Sequence, residues 1–200
     1  LFGTEAKVFL HRVHFNENFA DVDGGGMFLE AVQLRADDCV IDANRAEVDG
    51  GGVFATAIGT FGSGRPLVEI VNTLMHHNTA ATGNGGGAFL DGSGAVSGKV
   101  AFTHSTIADN SAAVRGGGIF AMTTTAIKAV SHVENSIVWN NTGLGGLIDE
   151  LAGRQACAFS DCPGTGQGCF YVNPQFAFDP VFNTAYDLAP GSPCANSGNA

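Results

Sequence analysis

Apolar positions along this chain fall into columns once it is cut into recurring units. The units read FNENFADVDGGGMF from Phe15, IDANRAEVDGGGVF from Ile41, MHHNTAATGNGGGAF from Met75 and IADNSAAVRGGGIF from Ile107. A shorter fifth copy, IVWNNTGLGG, opens at Ile137. Each unit carries one asparagine in register: Asn18, Asn44, Asn78, Asn110 and Asn140, spaced by 26, 34, 32 and 30 residues. Ten positions before it stand Val8, Leu34, Val68, Val100 and Val130; three before stand Phe15, Ile41, Met75, Ile107 and Ile137. Two after stand Ala20, Ala46, Ala80, Ala112 and Thr142. Columns this uniform predict side chains stacked inward, and the alternating polarity around them predicts short strands. The uneven period argues against helix-pair repeats and fits a β-solenoid with loops of variable length.

The aligned asparagine is expected at a corner, because its amide both donates and accepts and its backbone tolerates the left-handed conformation. Stacked up the coils, these amides should form a hydrogen-bonded ladder. The glycine triplets mark a second corner, where positive φ and close backbone approach are needed. A phosphate loop is excluded, since no Lys follows the glycines and no helical pattern opens after them. The direction of the two residues after each triplet stays open, since both are apolar.

These features predict an all-β chain: a right-handed parallel β-helix of about five coils over residues 1–152, closed by a Cys-containing cap over 153–200. The F-x-x-N and triple-glycine units resemble polymorphic outer-membrane protein repeats and the wider pectate-lyase-like β-helix superfamily. The stretch NPQFAFDPVFNTAYDLAPGSPCANSGNA is similar to the closing segment of secreted bacterial β-helix proteins. The resemblance implies fold and an extracellular or cell-surface location. It implies no single activity, since such folds serve lyases, hydrolases and adhesins alike.

Composition narrows the partners. A net charge of −10 argues against nucleic acid and anionic membrane. No apolar run approaches the roughly 20 residues of a membrane-spanning helix. Of five cysteines, Cys157, Cys162, Cys169 and Cys194 crowd the last quarter and are candidates for two disulfides stapling the cap, in any of three pairings. A zinc site is the rival reading, with spacings that are not ribbon-like. Cys39 reads as a buried free thiol. The sequon Asn140-Asn141-Thr142 has its acceptor in the expected ladder and so reads as unused.

Stacking turns sequence columns into spatial neighbours about 4.8 Å apart. Asp21, Asp23, Glu47 and Asp49 should converge on one corner, a possible Ca²⁺ site or a solvated acidic patch. Arg115 occupies the equivalent of Asp49 two coils on. Beside the asparagines, His76 should neighbour Asp42, and His77 should neighbour Asp109, each a usable acid–base pair or a surface ion pair. Arg12, Asp38, Asn72, His104 and Glu134 form a polar column fit for a glycan groove or a solvated face. The long loop ATAIGTFGSGRP, with Phe61 and Arg65, is where a solenoid could place binding. Motifs of polygalacturonase-like hydrolases, serine hydrolases and zinc proteases are absent. The leading expectation is a scaffold that works by contact with surface glycans or proteins. The alternative is a lyase or hydrolase acting on acidic polysaccharide, with Arg115, His77 and Asp109 as candidate catalytic residues.

Overall fold

The computed structural model describes residues 6–30, 32–56, 68–91, 99–122, 130–146, 151–153, 155–158, 174–179 and 184–194. Four sheets run up a parallel β-helix, each made of equivalent strands from successive coils. The first sheet has six strands, from Ala6–His11 through Val32–Asp37, Val68–Val71, Lys99–Thr103 and Val130–Glu134 to Gln155–Ala158. The second stacks His14–Asn16, Val40–Asp42, Leu74–His76, Thr106–Ala108 and Ile137–Trp139. The third consists of two-residue strands such as Arg45–Ala46 and Thr79–Ala80. The fourth follows the glycines, as Met27–Glu30, Val53–Thr56, Ala88–Asp91, Ile119–Met122 and Leu151–Gly153. All pairings within these sheets are parallel, and the first sheet carries stacking past residue 152.

The core is the set of inward columns. Leu34, Val68 and Val100 stack in the first sheet beside Ala36, Ile70, Phe102 and Val133. Ile41, Met75, Ile107 and Val138 stack in the second. Burial of these side chains is the main stabilising contribution, about 1.5–3 kcal/mol for each large one. The orientation left open by the sequence is resolved in the fourth sheet. Val53, Ala88 and Ile119 point into the core, while the following phenylalanines form a separate column. Phe28, Phe54, Phe89 and Phe120 stack with centroids 5.1, 5.1 and 5.2 Å apart.

The triplet corner is explained by two kinds of constraint. Gly50 has φ +68°, in the left-handed region. At Gly51 a Cβ would lie 2.5 Å from the Gly86 carbonyl oxygen of the next coil. No side chain fits that approach without moving backbone.

The asparagine ladder is present, with one correction. Asn18, Asn44, Asn78 and Asn110 each donate from the backbone N–H and from Nδ2 to the Oδ1 of the asparagine one coil on. The last acceptor is Asn141, not Asn140. The left-handed residue of this corner is the one before the ladder: Glu17, Ala43, His77, Asp109 and Asn140 all have φ of 52–57°. In an Asn-Asn pair either residue suits either role, so sequence could not choose. The whole fifth coil therefore slips by one. Ser131 pairs with Val100 where Val130 was expected, and Val138, not Ile137, continues the inward column. The sequon's acceptor Asn140 thus lies outside the ladder and is exposed.

A second ladder runs along the corner between the first two sheets. The backbone N–H groups of Cys39, Thr73 and Ser105 donate to the hydroxyls of Thr73, Ser105 and Ser136. Cys39 is buried, as expected, and its thiol donates to the Asp37 carbonyl. A hairpin of Phe176–Asp179 and Thr184–Leu188 closes the described chain. Of the cap cysteines, Cys194 is buried, Cys157 lies in the last strand of the first sheet, and Cys162 and Cys169 fall outside the described residues. Among the described residues no disulfide is formed.

Candidate functional site

The outer surface of the second sheet carries two side-chain columns between two left-handed corners. One column is His14, Val40, Leu74, Thr106 and Ile137; the other is Asn16, Asp42, His76, Ala108 and Trp139. The flanking corners are Arg12, Asp38, Asn72, His104 and Asn135 on one side, and the Glu17-to-Asn140 set on the other. A positive φ at each corner residue turns its side chain outward and frees the next residue for the ladder. Polar side chains are therefore projected in rows along this face.

The closing hairpin crosses the face at the third and fourth coils. Tyr186 lies against His76, with ring centroids 4.6 Å apart. Its hydroxyl donates to Asp109 Oδ2 at 2.7 Å and is 3.2 Å from His77 Nδ1. His77 Nδ1 is in turn 2.8 Å from His76 Nδ1. Phe176 packs edge-on to the same tyrosine at 5.3 Å. Asp109 also accepts from Asn140 Nδ2, and Asp42 accepts from Asn16 Nδ2 and pairs with His14. The expected His77–Asp109 neighbourhood thus exists, with Tyr186 bridging the pair. Asp42 is directly opposite His76 in the sheet, also as expected.

Burial sets the electrostatics here. It pushes His76 down to about 4, against the opposing pull of Asp42 and Asp109, so the imidazole is neutral at pH 7. Burial, then the bond to Asp109, pushes the Tyr186 phenol well above its ordinary value. It therefore stays protonated and acts as donor to Asp109.

Between the hairpin and the neighbouring corner lies a cleft of about 380 Å³. Asn72, Leu74, His104, Thr106, Tyr186 and Asp187 line it. Among the described residues no Lys or Arg lines it. Just outside, Asn72 Nδ2 donates to Asp38 at 2.6 Å, and Arg12 stands 3.7 Å from the same carboxylate. Asn72 and His104 belong to the expected polar column. Its fifth member is Asn135 rather than Glu134, because of the slipped coil, and Asn135 meets His104 at 3.4 Å.

The acidic corner is arranged differently. Asp23 Oδ1 accepts the Asp49 N–H at 3.0 Å, and Asp49 Oδ1 accepts the Asn84 N–H at 2.6 Å. Glu47 turns to Arg45 Nη2 at 2.7 Å, and Asp21 is exposed. Burial, with a smaller push from Asp49, raises the Asp23 carboxyl against the lowering effect of its backbone bond. Among the described residues no group of three or more His, Cys, Asp or Glu is placed to hold a metal ion. Arg115 is exposed at the same corner, and its carbonyl accepts from Gly85 N–H. Among the described residues no contact joins it to His77 or Asp109. The loop carrying Phe61 and Arg65 lies outside the described residues.

Tyr186 and Asp187 were not among the sequence candidates. Tyr186 stands 77 residues from Asp109 and 109 from His77, and no coil period places it or its neighbour. No family model, curated protein or solved structure matches this chain.

Proposed function

We propose that this chain is an extracellular or cell-surface β-helix scaffold that works by contact, with the cleft beside Tyr186 as the place where it holds a surface glycan. The observation that carries this reading is the cleft itself. Its wall comes from a hairpin and its floor from a rigid stack of coils, and binding sites favour such junctions. An amide, an imidazole, a carboxylate and the hydroxyls of Thr73, Thr106 and Tyr186 line the cleft with the apolar Leu74. That mixture suits a ligand with many hydroxyls and one less polar face. Asp187 on the wall and Asp38 nearby place negative charge at the cleft, which favours an uncharged saccharide over a polyuronate. The cysteine-rich final quarter and the resemblance to secreted β-helix proteins support export.

A second reading is a lyase or hydrolase acting on acidic polysaccharide. The Tyr186–Asp109–His77 cluster favours it, because those groups can relay a proton. Against it, the tyrosine is a locked donor and its partners hold the hairpin in place. Calorimetric titration with uncharged and uronic oligosaccharides, beside a depolymerisation assay, separates the two. Binding of an uncharged oligosaccharide, weakened about tenfold by Asp187→Ala, with no chain cleavage, is the expected result. Cleavage of a polyuronate, weakened by Asp109→Asn, would establish the second reading instead.

A further inference from the structure

We infer that the closing hairpin is an acid-released latch over the cleft, held down by the seating of Tyr186 on His76, His77 and Asp109. Tyr186 is anchored to the coils by one ring stack and two polar contacts, at 4.6, 2.7 and 3.2 Å. Its neighbour Asp187 lines the cleft, so displacing the tyrosine removes the cleft's outer wall. The rest of the hairpin is held by its own bonds. Ala189 N–H donates to Gln175 O at 2.8 Å, Ser192 Oγ donates to Pro174 O, and Phe176 packs on Tyr186. A two-stranded hairpin is marginally stable by itself, so once its hold on the second sheet is lost the amides of Tyr186–Leu188 open to exchange.

His76 is the ring stacked directly under the tyrosine, and burial there holds it neutral. The ionisable side chains around it are Asp42 and His14 from the two preceding strands, Asp109 from the corner after the next strand, His77 beside it and Tyr186 above; the next strand itself presents Ala108. Asp42 and Asp109 favour the charged imidazole; burial outweighs them, with His77 and His14 adding to its effect. With the latch closed burial holds His76 down at about 4, and opening removes the hairpin's share of that burial, moving it back toward the ordinary 6.5. The open state therefore binds more protons between those values. Closure is at full strength above pH 6.5, weakens as pH falls through the window, and is weakest below 4.

This latch would regulate the cleft to which we assign glycan contact, but its test needs no ligand, so the two readings fail separately. Amide hydrogen exchange on the full chain, corrected for the intrinsic pH effect, reads the opening of Tyr186–Leu188 directly. From pH 7.5 to 4.5 their protection should fall by about tenfold or more, a figure discounted for the partial exposure of His76. Protection in Leu74–His76 and Thr106–Ala108 should stay constant. His76→Gln should abolish the pH dependence, while Tyr186→Phe should lower protection at every pH and keep it. Protection at 186–188 that ignores pH, or a dependence that survives His76→Gln, overturns the proposal. So does loss of protection in the coil strands at the same pH, which would mean global unfolding.

Discussion

The glycine corner and the face under Tyr186 both collect charged and polar side chains, yet they use them in opposite ways. At the corner, Asp23 and Asp49 end on backbone N–H groups of the next coil. Each residue repeats the job of its equivalent one coil below, and the result is a cap. On the face, His76, His77 and Asp109 end on a side chain from a different part of the chain. Stacking like on like yields ladders, whereas a mixed constellation needs a segment that breaks the repeat. The cleft lies where that segment crosses.

The corner should be the costlier place to disturb. Gly51→Ala forces a Cβ to within 2.5 Å of the Gly86 carbonyl, so it should destabilise by about 3 kcal/mol or more. Chemical denaturation would read this as a large fall in the midpoint. Asp49→Ala leaves the Asn84 N–H without its acceptor and should cost about 1–2 kcal/mol by the same measurement. Tyr186→Phe keeps the ring stack and loses only the hydroxyl contacts. Its effect should be about 1 kcal/mol, confined to the hairpin, and visible in hydrogen exchange there but not in the global melt. Millimolar Ca²⁺ should produce the smallest change, leaving the melting temperature within about a degree. Oδ1 of Asp23 and Oδ1 of Asp49 are already engaged by amides. A clear upward shift on adding Ca²⁺ would mean that Asp21, Asp23, Glu47 and Asp49 rearrange around the ion, and would erase the contrast between the two regions.

Much of the scaffold was legible because a repeat states each structural requirement several times. One inward isoleucine is ambiguous, but Ile41, Met75 and Ile107 in register are not. The sequence was ambiguous wherever two neighbours met the same requirement. Asn140 and Asn141 could each be the ladder rung, and their order is set by which one takes φ +57°. The apolar residue and the phenylalanine after each triplet could each face the core. The hydroxyl ladder through Thr73, Ser105 and Ser136 carries a weak sequence signal, because aligning the fifth coil on Asn140 instead of Asn141 puts Asn135 where Ser136 belongs. The candidate site was half legible. His76, His77, Asp42 and Asp109 fell into place from the columns, as did Asn72 and His104. Tyr186 and Asp187 did not, because their placement is a long-range contact carrying no periodic signal.

Seating of Tyr186 on the third and fourth coils is the contact on which the cleft and the latch both depend. It is tested most directly by nuclear Overhauser contacts between the Tyr186 ring and the His76 and His77 rings at pH 7.5. Centroids 4.6 and 6.2 Å apart predict a strong cross-peak to His76 and a weaker one to His77. Assigned spectra with neither cross-peak would place the hairpin elsewhere and contradict the account.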